Sequence, residues 1–168
     1  MTNRLVASIE GYAAVYGRAD LSGDVIRPGA FARMLGKNRP IRMLYQHKAE
    51  SPIGRWIDFR ERPNGLYAYG EIDLVGPRQK EIHGLLETGA LDGLSVGFKT
   101  RRARQKAGVR EVLEADLWEV SVVTFPMASG ARIVRVGASV SKNDATDTIR
   151  RATEAFAIRP SITEVPAA

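Results

Sequence analysis

The sequence predicts a mainly β chain with one main helix, its strands arranged as a closed or nearly closed sheet. Three observations carry that prediction. The chain has 168 residues, about one domain by the usual length prior. Several short runs alternate apolar and polar residues and are bounded by turn signals, the pattern of a barrel or sandwich. A single segment repeats its apolar residues clearly at helical spacing.

Residues 5–15 alternate and end at Tyr16-Gly17, a strand followed by a turn. Asp20-Leu21-Ser22-Gly23-Asp24 is turn chemistry. Val25-Ile26-Arg27-Pro28-Gly29 is a short extended piece, and residues 30–35 form a short helix that Gly36 ends. Residues 41–47 and 53–60 are strands. Pro63-Asn64-Gly65 turns the second into a partner over residues 66–74. Residues 77–88 are the clearest helix. Pro77 opens it, Ile82, Leu85 and Leu86 share a face, and Gly89 stops it. Residues 93–100 are a strand with glycines. Residues 109–124 are the longest strand-like stretch, either two strands or one bent strand, ended by Phe125-Pro126. Residues 133–136 make one more short strand. Past Gly137 the composition changes. Residues 138–143 are small and polar, a linker. Residues 144–157 carry a weak helical pattern through Ile149, Ala152 and Phe156, with Asn143 or Asp144 as N-cap. Residues 159–168 hold two prolines and read as disordered. The expected organisation is a core domain over residues 1–136 and a tail over 137–168.

Composition narrows the function classes. With 44% hydrophobic and 26% charged residues, the chain has ordinary globular composition. It has no cysteine, which excludes a disulfide scaffold, a thiol nucleophile, an iron–sulfur cluster and a cysteine zinc site. No apolar run approaches the roughly 20 residues of a membrane span, and residues 1–10 lack a signal pattern. The expected location is the cytoplasm, with no membrane partner. The two histidines, His47 and His83, argue against a histidine-rich metal site, so neither metal nor cofactor is expected. They also leave few candidates for a general base near neutral pH.

The net charge of +6 is local. Lys99, Arg101, Arg102, Arg104, Lys106 and Arg110 lie in a stretch without acids, and the remaining chain balances at 19 of each sign. A solvated, mobile hairpin tip is favoured over a nucleic-acid surface. No aromatic interleaves the run, so single-strand stacking has no support.

Three polar residues sit where polar residues are awkward. His47 ends the apolar strand Met43-Leu44-Tyr45, Ser95 lies between Leu94 and Val96, and Glu119 interrupts Leu117-Trp118-Glu119-Val120. By parity Glu119 shares a strand face with Leu117, Ser121 and Val123. If that face points inward, its carboxylate needs a donor, and an imidazole is one. This gives a serine nucleophile, a histidine base and an orienting acid, in chain order His, Ser, Glu. A serine hydroxyl needs such help to attack. Gly93 and Gly97 allow close approach of a substrate backbone and leave a backbone N–H open to an oxyanion. Each residue also has a plain structural reading: a strand-end histidine, a small strand serine, a solvent-facing glutamate. His83, beside Glu81 and Gly84, reads as an exposed or half-buried helix residue.

Five segments in order, Glu10-Gly11-Tyr12-Ala13-Ala14-Val15-Tyr16-Gly17, Asp24-Val25-Ile26-Arg27-Pro28-Gly29-Ala30-Phe31, Leu44-Tyr45-Gln46-His47, Gly93-Leu94-Ser95-Val96-Gly97-Phe98 and Trp118-Glu119-Val120-Ser121-Val122-Val123-Thr124-Phe125-Pro126, resemble the prohead maturation protease family of tailed phages and gene transfer agents. The resemblance covers about residues 5–136. It implies the herpesvirus assembly-protease fold, a β-barrel ringed by helices, and a serine endopeptidase acting inside the immature capsid. The implied substrates are scaffold, the N-terminal scaffolding segment of the major capsid protein, and the protease itself. A homo-oligomer within the prohead is also expected. Carried over by motif, Ser95 is the nucleophile and His47 the general base. Herpesvirus enzymes of this fold place a second histidine third. Here the corresponding strand has Glu119, with Asp116 as the weaker alternative. Arg101 or Arg102, following the nucleophile strand, could assist the oxyanion through water.

Three classes stay open at this point: a processing endopeptidase, a non-catalytic scaffold-binding β-domain, and a nucleic-acid module using residues 99–110.

Overall fold

The structure is a computed structural model that describes residues 4–37, 39–142 and 153. In chain order the elements are β1 (Arg4–Val15), β2 (Asp24–Ile26), α1 (Ala32–Leu35), β3 (Arg42–Tyr45), β4 (Lys48–Arg62), β5 (Gly65–Asp73), α2 (Pro77–Glu87), β6 (Gly93–Lys106), β7 (Val109–Val123), β8 (Ile133–Val136) and β9 (Val140–Lys142). The protein is mainly β, and the described residues hold two helices.

The strands form one mixed sheet in which β3, β4, β5, β1 and β8 follow in order and β7 pairs with β3. Strand β7 organises one end. Strand β6 runs antiparallel along one of its edges, while β2 and β3 pair in parallel with separate stretches of the other. The closed barrel is not reached by a ladder among the described residues. The ends β6 and β8 meet through an isolated Gly93–Arg132 bridge and the bonds Leu94 N–H to Ala131 C=O and Ile133 N–H to Asp92 C=O.

One apolar cluster packs on one face of the sheet. Ile9 and Ala7 of β1, Ile72 of β5, Leu94 of β6, and Val120 and Val122 of β7 are in it, with Phe31 from beside α1 and Ile82 and Leu86 of α2. Strand alternation therefore sends Ser95, Glu119 and Ser121 to the opposite face. Leu117, however, belongs to the apolar cluster although it shares parity with Glu119. The reason is a β-bulge. Gly97 pairs with Glu119 and Phe98 with Leu117, so Trp118 is the extra residue. The bulge reverses which face each parity occupies, so Glu119 and Ser121 do not share a face with Leu117 as parity alone predicts.

Most elements lie within a few residues of their expected places. Residues 109–124 are one strand with irregularities. Residues 140–142, expected in a linker, form β9 because the β1 edge at Arg4–Val6 offers unpaired backbone groups. The basic segment forms the exposed hairpin expected of it: it continues β6 to Lys106 and turns at Ala107-Gly108, both with positive φ. Arg101 pairs with Asp116, Arg104 with Glu111, and Arg110 with Asp24, so much of its charge is balanced within the fold. The expected helix over 144–157, with its N-cap, and the tail over 159–168 lie outside the described residues, apart from Thr153. No helix among the described residues is long and apolar enough to cross a membrane.

Candidate active site

His47 lies just past β3, in the two-residue turn that joins β3 to β4. Gln46 and His47 have φ of 54° and 57°, the left-handed pair that a tight hairpin turn of this length requires. Outside glycine this region is uncommon, and histidine tolerates it better than most residues. The turn is fastened to β7. Gln46 N–H donates to Val122 C=O at 2.9 Å, His47 N–H donates to Ser121 Oγ at 3.1 Å, and Gln46 Nε2 donates to Thr124 Oγ1 at 2.6 Å.

This places the imidazole over the Glu119 carboxylate, with His47 Nδ1 to Glu119 Oε1 at 2.6 Å. The other carboxylate oxygen accepts a bond from Ser121 Oγ at 2.7 Å. Ser121 thus ties the acid to the backbone of the histidine. The hydrogen bond to Glu119 favours the imidazolium and raises the pKa of His47 above its ordinary 6.5, although partial burial opposes it. With Nδ1 assigned as the donor to the carboxylate, the neutral ring presents Nε2 as an acceptor. The ring itself is 43% exposed.

Ser95 pairs directly with Ser121 across the β6–β7 ladder, and directly opposed residues project from the same face. It is 3% exposed, and its hydroxyl makes no hydrogen bond. The two serines are therefore chemically unlike. Ser121 has its donor and its acceptor engaged, whereas Ser95 has a hydroxyl with nothing to satisfy it. An unpaired buried hydroxyl is costly and calls for an explanation.

Gly97 pairs with Glu119, and a Cβ there would overlap Glu119 Oε1. The glycine makes room for the carboxylate, a use different from the substrate access expected of it.

The other expected residues go elsewhere. Asp116 is 6% exposed and held by Arg33 and Arg101, away from either histidine's hydrogen bonds. Arg101 and Arg102 lie six and seven positions beyond Ser95 on the continuous strand β6, about 20 Å along it at 3.3 Å per residue. Arg101 is engaged by Asp116 at 2.5 Å. Strand β6 does not turn back, so neither arginine is carried toward the hydroxyl. His83 is buried, 7% exposed, rather than exposed or half-buried. Its Nε2 lies 3.3 Å from the Gly137 carbonyl. Among the described residues no cluster of histidine and carboxylate side chains could hold a metal ion.

Sequence reasoning missed Ser121, Gln46 and Thr124. Ser121 gave one signal, a second polar residue on the face of Glu119. Gln46 and Thr124 are separated by 78 positions, and nothing local marks them.

A family model described as the caudovirus prohead serine protease matches residues 2–148. The prohead protease of Enterobacteria phage HK97 is 33% identical over 147 residues, covering 84% of this chain and 63% of that protein. The chain thus spans a little under two thirds of that relative. The protease of Kaposi's sarcoma herpesvirus, solved with a hexapeptide phosphonate inhibitor, matches with a TM-score of 0.54 at 15% identity, over 93% of this chain and 78% of that one. The capsid assembly protease of bacteriophage T4 matches with a TM-score of 0.52 at 15% identity, over 71% of this chain and 82% of that one. At such identities the likeness is one of fold, that of the herpesvirus proteases.

Proposed function

Because the chain belongs to the caudovirus prohead serine protease family, we propose that it is a serine endopeptidase of capsid maturation, with Ser95 as nucleophile, His47 as general base and Glu119 as the acid that orients the base. The observation that carries this reading is the 2.6 Å bond from His47 Nδ1 to Glu119 Oε1, on the face that also bears the unpaired Ser95 hydroxyl.

In the proposed reaction Ser95 Oγ attacks a peptide carbonyl while His47 Nε2 takes its proton. Glu119 stabilises the imidazolium and fixes its tautomer. Backbone N–H groups close to Ser95 receive the oxyanion. His47 then returns the proton to the departing amine, leaving an acyl-enzyme. Water, deprotonated by the same nitrogen, releases the acid product. Ser95 Oγ makes no hydrogen bond to His47 in this structure, and bonds of this kind commonly form only when substrate is bound. The substrates proposed are scaffold or the N-terminal scaffolding segment of the major capsid protein, and the chain itself, within the immature capsid. A nearly closed barrel carries the site, the isolated bridge at Gly93 being its seam.

The test is co-expression with the capsid precursor and N-terminal sequencing of the products. Ser95→Ala and His47→Ala each abolish processing and keep the wild-type circular dichroism spectrum. Ser95→Ala also loses fluorophosphonate labelling. A Ser95→Ala protein that still processes the precursor refutes the assignment.

A further inference from the structure

The face bearing Ser95 and Glu119 continues along β6 and β7 into a recess of about 500 Å³. Trp118 and Pro40 contribute its apolar surface, and Arg39, Arg42, Lys99 and Arg101 edge it. Its position relative to the site follows from register. Arg42 pairs with Glu119 across β3–β7, and Lys99 pairs with Asp116 across β6–β7. Ser95, Gly97 and Lys99 follow at two-residue intervals on one face of β6, so the recess begins about 13 Å from the nucleophile at 3.3 Å per residue.

Two features of the recess stand out physically. Asp116, the acid in its lining, is already held by Arg33 and Arg101. Arg39, Arg42 and Lys99 have no acidic partner among the described residues, so like charges converge on one opening and repel. Trp118 is 61% exposed because the bulge ejects it from the alternation. A large exposed indole beside uncompensated cations suits a ligand that brings both a negative charge and an aliphatic stem.

We propose that this recess is a specificity subsite of the protease. Arg39, Arg42 and Lys99 select an acidic side chain about four residues from the scissile bond of an extended peptide, and Trp118 packs against that side chain's methylene groups. The proposal deepens the serine-protease reading and depends on it for the direction along which the peptide lies. Exposed ion pairs are screened by salt, so the selection weakens as ionic strength rises.

Two measurements test it. The first uses internally quenched peptides built on the cleavage sequence obtained above, carrying Glu, Ala or Lys at positions three to five from the scissile bond on either side. With wild-type protein, Glu at one of these positions raises kcat/KM about tenfold over Ala, through KM, and Lys lowers it. The Arg42→Ala/Lys99→Ala double variant reduces that preference to less than twofold. Removing the same charge at the hairpin tip, in Arg104→Ala/Lys106→Ala, leaves the preference intact. The second measurement needs no turnover. An acidic decapeptide of alternating Glu and Ala is titrated against Ser95→Ala protein and followed by tryptophan fluorescence, with Trp118→Phe as control. Its Kd rises about tenfold in the Arg42→Ala/Lys99→Ala background and is unchanged by the tip substitutions. Equal binding in the two backgrounds, or equal loss from the tip substitutions, overturns the subsite whatever the enzyme cleaves. Absence of labelling and cleavage with intact acidic-peptide binding instead refutes the protease reading.

Discussion

Both carboxylate oxygens of Glu119 are engaged, one by the His47 ring and the other by the Ser121 hydroxyl. This arrangement fixes a sign for the pH dependence. Glu119 is what raises the pKa of His47, and in the proposed reaction the ring must be neutral to take the serine proton. In Glu119→Gln the acid limb of kcat/KM therefore moves to lower pH, while the plateau falls by on the order of 10³–10⁴, as when the acid of such a triad becomes an amide. An unmoved acid limb shows that Glu119 does not set the base. Gly97 supports a second prediction at this scale. A methyl group on its Cα would push the carboxylate off its position, and a displacement near 1 Å can cost about 100-fold in rate. Gly97→Ala is expected to lose that much kcat/KM and keep its circular dichroism spectrum. The polar residues of the site were legible one at a time, because His47, Ser95 and Glu119 each interrupt an apolar run. Ser121 was passed over because a serine in a strand has so common a structural use.

Among the elements, β6 and β7 show how far a period of two can be trusted. It located both strands, yet it could not show that Leu117 and Glu119 face opposite ways, since an inserted bulge residue leaves no trace in the alternation of a sequence already apolar on both sides. The hairpin they form also carries a correctable weakness. Its turn, Ala107-Gly108, holds Ala107 at a φ of 49°, where an L-residue with a Cβ is disfavoured by roughly 1–2 kcal/mol and Asn-Gly is the preferred pair. Ala107 is exposed, so Ala107→Asn should stabilise the protein by about 0.5–1 kcal/mol, seen as a higher Tm with unchanged activity. An unchanged or lower Tm contradicts it. Strand β9 was hidden for a different reason. Val140-Ser141-Lys142 is too short to show a periodicity, and it is a strand only because the edge of β1 is there to pair with it.

For the whole molecule the decisive contact is the parallel pairing of β3 with β7, which brings together residues 72 positions apart in His47 and Glu119. The linkage to folding follows from the raised His47 pKa. A histidine whose folded value lies above its unfolded one contributes stability fully present below the unfolded value and lost as pH rises through the folded value. Measured against His47→Asn, whose side chain tolerates the left-handed turn, the wild type should hold a larger stability advantage near pH 6 than near pH 8 in denaturant titrations. An advantage that grows toward pH 8 would show that the ring is not stabilised as its cation.

By itself the sequence determined the mainly β class of fold and the position of nearly every element of the described core, and it marked the three polar side chains proposed here as nucleophile, base and acid. These are local properties: alternation, turn residues, and polar groups out of place in apolar runs. Only the tertiary structure decided that the acid facing the imidazole is Glu119 and not Asp116, that Ser121 locks the two together, and that Arg101 is turned to a structural ion pair. Those outcomes depend on strand order, register and one bulge, and each is set by the burial of apolar faces over the whole sheet rather than by any residue's neighbours in the chain.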